Sequence, residues 1–108
     1  MESFYGQGIY KDGKSELEGE IVLREHKLFL RSSAGEWAQS FIPLEKISWI
    51  RQRSGHLEVY VCLSSVSRYT VLIEGAARDM HALAKELAKR RGFKKRFLKN
   101  EWAETQTS

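Results

Sequence analysis

The chain has one cysteine, Cys62, in 108 residues. An internal disulfide is therefore excluded, and a reducing, cytoplasmic setting is the expectation. Apolar runs are short: none approaches the roughly 20 residues that a membrane-spanning helix needs. The opening MESFYGQGIYKDG has an acid at position 2 and no apolar stretch, so no secretory signal is expected, and Met1 reads as the start of an unprocessed chain. Histidine is sparse and scattered. His26, His56 and His81 have no second ligand at metal-binding spacing, so neither a metal nor a cofactor is expected. Gly6-Gln7-Gly8 lacks the third glycine and the strand-to-helix setting of a dinucleotide loop. Cys62 has no local partner that would activate a thiolate. No catalytic set emerges, and the chain reads as non-enzymatic.

Proline is nearly absent too. The single one, Pro43, lacks an amide donor and marks an edge, a bulge or a strand end. What is present is a succession of short strand patterns. Residues 3–10 form a first strand weakened by Gly6 and Gly8, and Lys11 to Lys14 turn on Asp12-Gly13. Residues 18–24 and 27–31 alternate through Ile21, Leu23, Leu28 and Leu30, joined by a short Glu25-His26 connection. Residues 37–42 and 44–51 come next, the latter with Ile47 and Trp49 on one face and Ile50 opposite. Leu57, Val59, Val61 and Leu63 alternate cleanly with polar neighbours, and Cys62 falls on the face opposite them. Tyr69, Val71 and Ile73 alternate again. Six or seven short strands predict an antiparallel barrel or sandwich.

The period then changes. Met80, Leu83 and Leu87, spaced with Ala76, Ala77, Ala84 and Ala88, predict an amphipathic helix over 76–91, with Gly92 as its stop. Such a helix can close the open end of a small barrel. Beyond it, Phe93, Phe97, Leu98 and Trp102 admit a short second helix, and residues 103–108 read as a frayed polar end.

Two stretches carry a family resemblance: Gly19-Glu20-Ile21-Val22-Leu23-Arg24-Glu25-His26-Lys27-Leu28-Phe29-Leu30, and the corner Ile42-Pro43-Leu44-Glu45-Lys46-Ile47. Over residues 18–91 the chain resembles the pleckstrin-homology-like superfold, nearest to its GRAM and bacterial PH-like branches. The resemblance implies a mostly β fold: an antiparallel barrel of about seven strands capped by one C-terminal helix. On that division, residues 1–92 are the PH-like barrel with helix 76–91, and residues 93–108 are a basic extension. The resemblance also implies a phospholipid- or protein-binding module. The phosphoinositide-binding pattern of true PH domains is incomplete here. Its hairpin holds Lys11 and Lys14, succeeded by Glu16, Glu18 and Glu20.

The net charge of +4 is local, because residues 85–99 carry eight bases and one acid while residues 1–84 are nearly neutral. The candidate binding residues are therefore Lys89, Arg90, Arg91, Lys94, Lys95, Arg96, Phe97 and Lys99. The expected partners are a protein or an anionic phospholipid surface at the membrane periphery, with weak nucleic-acid binding as the alternative. The plain alternative is a solvated helix end whose aromatics, Phe93, Phe97 and Trp102, sit in the core. Trp37, Trp49, Tyr60 and Tyr69 lie on strands, and an exposed Trp37 or Tyr60 beside an apolar neighbour would mark a protein-binding patch. Barrel strands left exposed can pair between chains, so a homo-oligomer is also open.

Overall fold

The computed structural model describes residues 2–13, 15–32, 40–95 and 101–103. Seven strands precede the helix: β1 (Ser3–Asp12), β2 (Ser15–Leu23), β3 (Lys27–Ser32), β4 (Ser40–Pro43), β5 (Ile47–Arg53), β6 (His56–Cys62) and β7 (Arg68–Glu74). The helix α1 (Ala77–Arg91) comes next, and then two further strands, β8 (Lys94–Lys95) and β9 (Glu101–Ala103). Among the described residues these form one antiparallel sheet in the order β4-β3-β2-β1-β7-β6-β5-β9-β8. The mostly β fold with one helix is thus present. The seven-strand closed barrel is not: the sheet has nine strands and its order is open.

The reason lies at the end of the helix. Gly92 adopts the left-handed conformation (φ 68°), which only glycine takes without strain. The amide of Phe93 then donates to the Ala88 carbonyl (2.8 Å) and that of Gly92 to Lys89 (3.2 Å). This Schellman turn drops Phe93 into the core beside Ala88. Residues 101–103 lie along β5, where Ile50 faces Trp102 and Arg51 faces Glu101, and Lys94–Lys95 pair with them in turn. The edge of β5 that barrel closure would need is taken. Residues 94–95 and 101–103 are accordingly strands, not a second helix, and Ala103 belongs to β9 rather than to a frayed end.

Side chains alternate as a pleated strand requires. Leu57, Val59 and Val61 on β6 and Val71 and Ile73 on β7 point inward, with Met80, Leu83 and Leu87 of α1 over them, all 0–2% exposed. Each such burial contributes roughly 1.5–3 kcal/mol. β5 breaks the simple alternation. Its register shifts between Ile47 and Trp49, so Ile47 and Ile50 both reach the core while Trp49 faces the other way. The expectation that Ile47 and Trp49 share a face is corrected by this bulge, which adds one residue and reverses the facing of the side chains after it. Pro43 ends β4, the terminal strand of the order, as its missing donor predicts.

Candidate functional site

Among the described residues of the basic segment, the two arginines bond to the fold's own backbone and the lysines do not. Arg90 Nη1 donates to the carbonyl of Arg24 at 2.6 Å, and its Nε lies 3.9 Å from Glu86. Arg91 donates through Nε and Nη2 to the Ile47 carbonyl (3.3 and 3.2 Å), with its guanidinium 5.3 Å from the Phe93 ring. These two arginines tie the helix end to the β2–β3 turn and to the start of β5. Phe93 and Trp102 are 8% and 6% exposed and belong to the core. Lys89, Lys94 and Lys95 are exposed. Arg96, Phe97 and Lys99 lie outside the described residues, as does Trp37.

A second surface was not singled out by sequence reasoning. On the face of β1–β4 turned away from the core, register aligns Phe4 with Val22, Val22 with Phe29, and Phe29 with Phe41. The intervening residues, Ile21, Leu23, Leu28, Leu30 and Ile42, belong to the main core. Val22 and Phe29 are buried although they point the other way, while Phe4 is 54% and Phe41 57% exposed. One apolar row therefore crosses four strands, covered at its middle and open at both ends.

Cations lie over this row. The guanidinium of Arg24 is 5.1 Å from the Phe29 centroid, and that of Arg31 lies 6.0 Å from Phe29 and 5.9 Å from Phe4. Lys27 Nζ is 5.4 Å from Phe29 and 5.6 Å from Phe41. These three side chains cover Phe29, which is buried under them, and each cation–ring contact is worth about 0.5–1 kcal/mol at such exposure. Glu2 lies between the arginines, accepting from Arg24 Nε at 2.7 Å and from Arg31 Nη2 at 3.1 Å. Arg24's hydrogen bond is the main cause that holds the Glu2 carboxyl below its ordinary value, with partial burial opposing and Arg31 assisting. Lys27 has no acidic partner among the described residues. His26 and Lys27 line two shallow concavities at the end of this face, one with Glu2 and Arg24, the other with Phe41 and Pro43.

The signal for this row is present in the sequence. Ile21-Val22-Leu23, Leu28-Phe29-Leu30 and Phe41-Ile42 are consecutive apolar residues in strands that elsewhere alternate, and a strand apolar on both sides needs a cover on both sides.

Most of the remaining candidates have partners within the structure. Tyr60 stacks on Trp49 (centroids 3.6 Å apart, planes at 14°) and donates to Glu58, which also binds Arg51 at 2.6 Å. Burial first, and Glu58 second, push the Tyr60 phenol up. Tyr60 is half-buried against an aromatic neighbour. Cys62 lies on the face opposite the core, its thiol 3.4 Å from the Ser64 carbonyl. His56 is 3.8 Å from Glu74, His81 is 3.3 Å from Gln52, and His26 is exposed in the β2–β3 turn. Among the described residues no helix is long and apolar enough to cross a membrane.

No protein-family model and no curated protein matches the chain. Among solved structures it is similar to the crystal structure of the C-terminal domain of an unknown protein from Leishmania infantum. The TM-score is 0.57 and the identity 17%, over 83% of this chain and 81% of that one. At that identity the likeness is one of fold alone.

Proposed function

We propose that the chain is a non-enzymatic interaction module of PH-like type that docks a protein partner on the outer face of β1–β4. The observation that carries this reading is the row Phe4–Val22–Phe29–Phe41 beneath Arg24, Lys27 and Arg31, with a phenylalanine more than half exposed at each end. Aromatic side chains and arginines are the residues that carry most of the energy in protein interfaces. The sheet order through β7 with a helix directly after it, packed against β1, β5 and β6, supports the PH-like assignment.

The test is selection against a displayed random-peptide library. The chain should enrich a consensus, and the double variant Phe41→Ala with Lys27→Glu should lose it while still melting cooperatively, at a temperature lowered by several degrees. Phe41 is exposed on the terminal strand β4 and Lys27 is half-buried on β3 beside it, so the pair of substitutions removes two cation–ring contacts worth about 1–2 kcal/mol together. An identical selection by the double variant, or no selection at all, removes the reading.

A membrane reading has one supporting observation, the exposure of Lys89, Lys94 and Lys95. It is weaker because Phe93 and Trp102 are core residues and do not reach an interface, and the same burial removes these two rings as stacking surfaces for nucleic-acid bases. Sedimentation with phosphatidylserine vesicles, lost when those three lysines become glutamate, would favour it.

A further inference from the structure

Glu2 stands outside the aromatic row, yet its carboxylate is held by two of the guanidiniums that lie over it. Each oxygen has its own guanidinium: Oε1 faces Arg24 and Oε2 faces Arg31. The arginines have other supports. Both lie over the ring of Phe29, and Arg31 Nη1 is 3.7 Å from Glu20. These supports belong to the β2–β3 hairpin, whereas Glu2 comes from the head of β1. These contacts of the arginines do not run through Glu2. Two guanidiniums braced on one ring match the planar, bidentate geometry of a carboxylate.

We infer that the Arg24–Arg31 pair is the site that recognises a carboxylate of the docked protein segment, and that Glu2 is a resident competitor displaced on binding. This rests on the docking function proposed for the same face. The partner is committed by charge and shape: an acidic segment with apolar side chains. Its first carboxylate replaces Glu2, a second meets Lys27, and its apolar groups cover Phe4 and Phe41. Beside the aromatic row, Arg24, Lys27 and Arg31 meet two carboxylates, Glu2 and Glu20; displacing Glu2 leaves Glu20 on Arg31, with Glu25 and Glu45 at the rims of the two concavities. The row crosses four strands, about 14 Å at ~4.8 Å per strand. About four residues of extended chain span that distance.

A site occupied by its own side chain binds an outside ligand with an affinity lowered by the fraction of time it is free. The experiment is fluorescence anisotropy with a labelled peptide of repeating Glu-Leu, and a Gln-Leu repeat as the uncharged control. Glu2→Gln should tighten the Glu-Leu peptide about tenfold and leave the Gln-Leu peptide unchanged. Arg31→Gln should weaken the Glu-Leu peptide by a similar factor. Glu-Leu affinity that is unchanged or weaker in Glu2→Gln overturns the inference, as does equal tightening of both peptides. If Phe41→Ala weakens both peptides while Glu2→Gln does nothing, the docking face stands and the competitor role falls. If neither peptide binds the wild type or Glu2→Gln, both fall. A readout free of variants is the side-chain Nε–H resonances of Arg24 and Arg31 in the unmodified protein. Both must shift on adding the Glu-Leu peptide, and movement of neither overturns the site.

Discussion

Glu2, Arg24 and Arg31 come from three strands' worth of chain and have no spacing that would group them in a sequence. An acid at position 2 is visible only as an acid; its clamp exists because the β1–β2 and β2–β3 registers place it beside two guanidiniums. The pairing has a pH signature whose sign is fixed by its direction. Arg24 first, and Arg31 with it, hold the Glu2 carboxyl below the usual carboxylate range. The pairing therefore stabilises the fold at neutral pH, and that contribution is lost as pH falls through the lowered value. Melting temperatures of the wild type and Glu2→Gln should differ at neutral pH, with the wild type higher, and the gap should close in acid. A gap independent of pH would mean that the carboxylate charge contributes nothing. Phe29 is legible in hindsight as the apolar residue between Leu28 and Leu30, but which phenylalanines share its row is set by register alone.

Elements with clean alternation were legible in detail. β6 and β7 lie within one or two residues of their expected limits, and α1 begins one residue later than expected because Ala76 is extended and serves as its N-cap. Irregular elements were not. The shift between Ile47 and Trp49 inserts a residue that no periodicity announces, and a second shift lies in β1 around Tyr5 and Gly6, where Gly6 has φ 81°. Gly8 on the same strand has a different reason to be glycine. A Cβ there would lie 2.5 Å from the Glu74 carbonyl oxygen and 2.6 Å from Ile21 Cδ1. The closeness reflects the β1–β7 pairing that joins the two halves of the sheet, with Ile9 opposite Glu74. Gly8→Ala should cost about 1–3 kcal/mol through overpacking. The check is the denaturant midpoint; an unchanged value would show that β7 can retreat freely.

At the scale of the whole molecule, the division into a body ending at residue 92 and a separate basic extension does not match how the chain packs. Gly92 stops the helical pattern inside the basic run of residues 85–99, and that stop is what suggests a boundary in the sequence. Packing crosses it, because Phe93 and Trp102 join the core and β9 pairs with β5. Removing residues 93–108 deletes two buried aromatics worth about 3–5 kcal/mol each, against a total stability of about 5–15 kcal/mol for a domain. The truncated chain should lose most of its cooperative melting transition in calorimetry; a transition of wild-type height would return the segment to the status of an appendage. The β5–β9 pairing also sets a schedule. A nascent chain that has emerged from the ribosome only as far as Arg91 already contains β1–β7 and α1, yet its β5 has an unpaired rim of amides and carbonyls where Glu101–Ala103 will lie. For that interval of synthesis the protein carries a border able to pair with another chain, which Glu101–Ala103 covers in the finished fold.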